Sequence, residues 1–218
     1  MFPLVLGLGG LAILLALGIW QLQRLQWKEA VLADIDARIM AVPVDVPQAP
    51  DLVADRFLPV TVTGDLTGQE LHVLTSGDGP GYRVIAVLET ADRRIMADLG
   101  FVPLADKALP RAASAVTITG NLHWPAEVDG WTPAPDPANI WFARDVPTMA
   151  EALGTEPLLV IVREMSGADL GVTPLPIDSS TIKNDHREYA ITWFLLAFVW
   201  VIMTGLLMLR TARAPRKE

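Results

Sequence analysis

The stretch Ala190-Ile191-Thr192-Trp193-Phe194-Leu195-Leu196-Ala197-Phe198-Val199-Trp200-Val201-Ile202-Met203-Thr204-Gly205-Leu206-Leu207-Met208-Leu209 contains no charged residue. At about 1.5 Å rise per residue a helix of this length covers about 30 Å, the thickness of a bilayer's hydrocarbon core. A run of the same kind lies near the other end of the chain: Phe2 to Leu22 is uncharged, and the first charge is Arg24. No stretch between them approaches that length. The pair predicts two transmembrane helices. The first run has no basic residue ahead of its apolar core. It also has no small-x-small cleavage site after it, where the chain reads Ile19-Trp20-Gln21-Leu22-Gln23-Arg24. It is therefore read as an uncleaved anchor and not as a signal peptide.

Composition supports this division. Of 218 residues, 51 % are hydrophobic and 19 % charged, too apolar for disorder and too charged for a bundle made only of spans. A net charge of −8 makes nucleic acid a poor partner. The absence of cysteine excludes disulfides, thiolate metal sites and a cysteine nucleophile. The charges are also segregated. Arg24 to Glu188 carries 13 Lys/Arg against 24 Asp/Glu, whereas the tail sets Arg210, Arg213, Arg216 and Lys217 against Glu218. By the positive-inside rule the tail is cytoplasmic. With two spans the N-terminus is cytoplasmic too, and the acidic middle is periplasmic if the membrane is a bacterial inner membrane. The expected organisation is a first span at 1–23 and a helical extension with a proline-rich linker at 24–50. A β-rich domain at 51–183, a second span at 184–209 and a basic tail at 210–218 follow.

The segment after the first span keeps a helical period, with Trp27, Val31, Ile35 and Ile39 as an apolar stripe that packs on the outer domain or lies on the bilayer. Pro43, Pro47 and Pro50 end it. From Phe57 the pattern alternates. Val60–Val62, Leu71–Thr75, Tyr82–Thr90, Arg94–Val102, Val116–Trp124, Ile140–Phe142 and Leu158–Arg163 read as strands, separated by turns such as Gly77-Asp78-Gly79-Pro80-Gly81. One short helix is expected at Pro147–Leu153, closed by Gly154. The fold class is a membrane α + β protein: two transmembrane helices flanking a mostly antiparallel β domain, a small barrel or sandwich, with one short helix.

Catalytic signatures are absent. The chain has no G-x-S-x-G, H-E-x-x-H or P-loop, and its carboxylates are spread singly, as on a solvated face. His72 and His123 read as structural or surface residues. The third histidine stands in Asn184-Asp185-His186-Arg187-Glu188-Tyr189-Ala190, where Asp185 and Glu188 have capping-box spacing and set a helix start near His186. On that helix His186, Tyr189, Ala190, Trp193, Ala197, Trp200 and Thr204 share a stripe. Imidazole is a common axial ligand for haem iron, and flat aromatics with alanines below it suit a porphyrin face. The plainer reading is that Trp and Tyr mark a membrane interface and the histidine is only wet. Gly7, Gly10, Ala197 and Gly205 would let the spans pack closely and bring Trp20 and Gln21 near His186.

The residues at both ends resemble the surfeit-locus-one family. Gly18-Ile19-Trp20-Gln21-Leu22-Gln23-Arg24 with Trp27-Lys28 is similar to its N-terminal signature, and Asn184-Asp185-His186 with Tyr189-Ala190-Ile191-Thr192-Trp193-Phe194 to its closing one. Phe57–Gly64, Asp98–Pro103, Val116–Leu122 and Asn139–Ala150 resemble inner motifs, in order. One departure is Asp98-Leu99-Gly100-Phe101-Val102 in place of an Asn-Arg-Gly-Trp-Val pattern: the arginine is lost and only the glycine suggests that the turn persists. The resemblance implies a non-enzymatic assembly factor for haem-copper cytochrome c oxidase that receives haem a and helps insert it into subunit I, with haem A synthase as a further partner. His186 falls on the family's haem-linked histidine. Tyr189, Trp193 and Trp20 are the residues expected to shape the pocket. The competing expectation is a scaffold or accessory subunit that stabilises oxidase intermediates without touching haem.

Overall fold

The structure is a computed structural model, and it describes residues 2–77, 79–180 and 182–213. Asp78 of the glycine-rich turn and the tail residues Arg216 and Lys217 lie outside the described residues. The chain divides into two compact units: a helical one built from both of its ends, and Ile35–Asp178.

The helical unit holds α1 (Phe2–Ile39) as far as Asp34, about 50 Å of helix at about 1.5 Å per residue, and α3 (His186–Arg213) forms its counterpart. Leu4–Ile39 and His186–Thr211 are each long and apolar enough to cross a membrane. Most of their apolar side chains are exposed, which suits lipid and not the inside of a soluble core. α3 begins at His186, where the sequence sets its start, with Asp185 just ahead of the first turn. The Asp185 carbonyl accepts from the Tyr189 N–H at 3.1 Å, while its carboxylate pairs with Lys183 Nζ at 2.7 Å.

The second unit is one seven-stranded sheet made from β1 (Val44–Asp45), β2 (Pro59–Gly77), β3 (Gly79–Glu89), β4 (Arg94–Pro103), β5 (Ser114–Leu122), β6 (Ile140–Trp141) and β7 (Leu159–Ser166). Its order β2-β3-β4-β7-β5 closes on itself because β5 also pairs β2. The expectation of a barrel or sandwich therefore resolves to a closed barrel, which leaves no long edge for another chain to extend. The two segments expected at 60–62 and 71–75 are one strand. β2 bends at a register shift between Leu66 and Glu70, so its first half pairs β5 and its second half β3. The barrel pairs are antiparallel except β4–β7, which run parallel; β1 and β6 also run parallel to β2.

Two apolar clusters explain the strand sequences. Val84, Ala86 and Leu88 of β3 join Ile95, Ala97 and Leu99 of β4 in the barrel interior. The alternate residues Ile85, Val87 and Met96 face outward, where α2 (Val146–Leu153) covers them with Val146, Met149, Ala150 and Leu153. Strands buried on both faces read as continuous apolar runs, as these do. The helix ends on Gly154 at φ 65°, the left-handed cap its sequence position predicts.

The expected stripe on the α1 extension is not a packed face as a whole. Ile39 is buried, but Trp27 and Val31 are exposed, and the Arg24 guanidinium lies 3.9 Å from the Trp27 ring centroid. A four-residue repeat drifts around a 3.6-residue helix, so the stripe does not stay on one side. Ile39's carbonyl at the helix end accepts from Asn121 Nδ2 at 2.9 Å and Arg163 Nη1 at 3.1 Å, which satisfies a group the helix cannot.

The carboxylates are not all solvated, as their spacing had suggested. Asp98 is fully buried on the outward face of β4. Its Oδ2 accepts from Arg83 Nε at 2.7 Å and from Arg144 Nη1 at 3.3 Å; its Oδ1 accepts from the Gly100 N–H. Arg83 donates further to the Leu175 carbonyl, and Arg144 grips Glu127 through side chain and backbone. Burial pushes the Glu127 carboxyl up, but the bonds and charge of Arg144 outweigh it and hold the group below its usual range. Glu70 likewise pairs with Arg111 at 2.8 Å and lies 3.0 Å from buried His72.

His123 stands beside this network, stacked on Phe57 with ring centroids 5.2 Å apart. Phe57 itself is held at φ 70°, a strained value for a bulky residue. Burial, and then the positive charges of Arg144 and Arg56, lower the His123 pKa to about 4. The unfolded chain takes up this proton near pH 6.5 and the folded one only near 4, so between those values the unfolded state holds more protons. Stability of the β domain is expected to fall by roughly 2 kcal/mol as pH drops from 6.5 to 4, after allowance for the ring's partial exposure. Urea midpoints across that window should show the slope, and His123→Gln should flatten it. An unchanged slope in the variant would assign the loss to another group.

Candidate functional site

The helical unit brings His186 to Gln21. His186 Nδ1 lies 2.8 Å from Gln21 Oε1, and Gln21 is only 9 % exposed although it is an amide, at the end of α1's uncharged apolar run. The reason is the seam between α1 and α3. Gly7, Gly10 and Gly18 line α1's contact face, where an added Cβ would meet Thr204, Trp200 and Phe194 at 2.3, 2.5 and 2.8 Å. Small residues let the two helices approach, and a polar pair at one end of the seam meets across it. Of the small residues read from the sequence, Gly7, Gly10 and Ala197 belong to this seam. Gly205 has nothing within 4 Å and does not, whereas Gly18 does.

The α3 stripe is consequently used differently from the expectation of a porphyrin face. Ala190 and Ala197 are buried, and the Trp200 indole N–H donates to the Gly7 carbonyl at 2.8 Å. These residues hold α1. Trp193 is half-buried, whereas Tyr189 and Trp20 are 55 % and 53 % exposed on the surface of the pair. Gln21 and Trp20 diverge because successive helical residues are about 100° apart, so one faces α3 and the other does not.

Chemically, the Gln21 carbonyl oxygen accepts the Nδ1–H of His186. That bond selects the tautomer whose Nε2 carries a lone pair and fixes the ring's plane. The arrangement leaves Nε2 on the side of the ring away from Gln21. Among the described residues no group of three or more His, Asp or Glu could hold a metal ion, so an ion caged by several side chains is not on offer. A group that asks for one imidazole is compatible with this site. Lys28 Nζ donates to the Lys183 carbonyl and ties α1 to the segment that leads into α3.

Comparison with known proteins adds a second line. A family model described as the SURF1 family matches residues 8–198. Surfeit locus protein 1 of Rattus norvegicus is 27 % identical over 208 residues, covering 82 % of this chain and 66 % of that protein. The SURF1-like proteins of Rickettsia felis and Rickettsia prowazekii are 27 % and 28 % identical over 206 residues. Each covers 88 % of this chain, and the matches span 90 % and 83 % of those proteins. The chain thus spans just under two thirds of the rat relative's length and most of the bacterial ones.

Proposed function

The chain belongs to the SURF1 family, and on that premise we propose that it is a non-enzymatic assembly factor for haem-copper cytochrome c oxidase that holds haem a through His186 and assists its insertion into subunit I. The observation that carries this reading is the 2.8 Å contact between His186 Nδ1 and buried Gln21. It presents Nε2 as a preset ligand on a helix rigidly packed against its neighbour. Haem a, if bound, would supply an iron that the Nε2 of His186 would hold. Tyr189, Trp20 and the half-buried Trp193 are the aromatic groups of this chain offered to the macrocycle, because Ala197 and Trp200 are committed to α1. Haem A synthase is the donor this role requires.

The place of action follows from the charge asymmetry. The acidic β domain faces the periplasm of a bacterial inner membrane, and both termini face the cytoplasm. The SURF1-like proteins of Rickettsia species support a bacterial setting.

Co-expression with haem A synthesis, followed by purification and an absorption spectrum, tests the assignment. His186→Ala is expected to lose most bound haem. Gln21→Leu should lower haem affinity about tenfold or more and shift the spectrum, as loss of an outer-shell partner does. Full haem occupancy in His186→Ala would refute the ligand. A scaffold role would then be favoured if oxidase subunits were captured undiminished from cells unable to make haem a.

A further inference from the structure

We propose that the groove between α1 and α3 at the Arg210 end of the helical pair binds one anionic phospholipid, its phosphate on Arg210 and an acyl chain along the groove. The groove has a volume of about 380 Å³, and its walls include Leu6, Met203, Leu206 and Leu207. Its floor is sealed, since Gly7 approaches Thr204 so closely that a Cβ would sit 2.3 Å from Thr204 Cγ2. The Trp200 indole N–H at its inner end is already satisfied by the Gly7 carbonyl. Arg210 is the single charge on the walls, the first after the uncharged run from Ala190, and it forms no ion pair with any described residue. An apolar trough ending in one cation matches an amphiphile with an anionic head, not a polar metabolite.

The inference rests on the two helices crossing a membrane and is independent of the haem assignment. In that setting Arg210 stands at the hydrocarbon boundary, level with headgroup phosphates. An acyl chain gains little by exchanging lipid neighbours for leucine, because both are apolar. Selectivity must therefore come from the headgroup charge, so an anionic lipid is chosen over a zwitterionic one with the same chains.

Native mass spectrometry of the full chain in mild detergent, titrated with phosphatidylglycerol and phosphatidylcholine of identical chains, tests this. One phosphatidylglycerol should be retained about fivefold more strongly than phosphatidylcholine, the factor expected of one basic contact. Arg210→Gln should abolish that preference, Arg210→Lys should keep most of it, and Leu207→Trp, which fills the groove, should lower retention with the charge intact. The proposal is overturned if Arg210→Gln retains phosphatidylglycerol like the parent. It also fails if Arg213→Gln costs as much as Arg210→Gln, since the tail would then attract anions diffusely.

Discussion

Asp98→Ala is expected to destabilise the β domain by about 3–5 kcal/mol, the usual cost of removing one partner from a buried ion pair. Asp98 is fully buried and receives Arg83 and Arg144, themselves mostly buried. Without the carboxyl group, two guanidinium ions remain in low dielectric, one with Glu127 and the other with the Leu175 carbonyl as a partner. The loss is also topological. The carboxyl connects β3, β4, the segment leading into α2 and, through Arg144, the loop between β5 and β6 that carries Glu127. Urea unfolding followed by tryptophan fluorescence should show a lowered midpoint. Asp98→Asn, which keeps the shape and part of the hydrogen bonding, should lose less. A change below about 1 kcal/mol for the alanine variant would mean that the network reorganises around water.

Gly100→Ala should cost a comparable amount, about 3–5 kcal/mol, by a different route. Gly100 sits at φ 116°, in the bulge where Leu99 is the extra residue between the pairs Ile85–Asp98 and Val84–Gly100. A Cβ there would lie 2.1 Å from the Thr173 carbonyl oxygen, a backbone atom fixed because it accepts from the Phe101 N–H at 2.7 Å. Gly79→Ala makes the internal comparison: φ is 126°, but nothing lies within 4 Å. It should cost about 1 kcal/mol for conformation alone. Equal losses in the two variants would show that the clash with Thr173 relaxes.

The glycine illustrates what could be read in advance. Its survival in the altered motif pointed to a preserved turn, and the turn is a β-bulge. The two spans, the helix closed by Gly154 and the strands of the barrel were legible because each follows from local hydrophobic period or a breaker residue. Closure of the barrel was not. The parallel β4–β7 pair depends on contacts between residues about sixty positions apart, which no local pattern encodes. Asp98 was passed over as one of many scattered acids, yet it interrupts the apolar run Ile95–Val102, and a lone charge there has nowhere to go but a buried partner. At the candidate site, His186 and Gln21 were individually visible. The seam that joins them hides more of the aromatic stripe than helical spacing alone implies, because that spacing shows which residues share a face but not which neighbour takes it.

The way the barrel closes also bears on when it can form. β2 waits for β5, and both β4 and β5 wait for β7, whose last residue, Ser166, precedes His186 by only twenty positions. A chain emerging from its N-terminal end therefore exposes unpaired apolar strands until nearly the whole domain has been delivered. Long-range pairings of this kind are slow and leave intermediates open to aggregation. The final strand and the second hydrophobic helix arrive almost together, so a pause in the synthesis of this segment would leave an open sheet with its interior exposed.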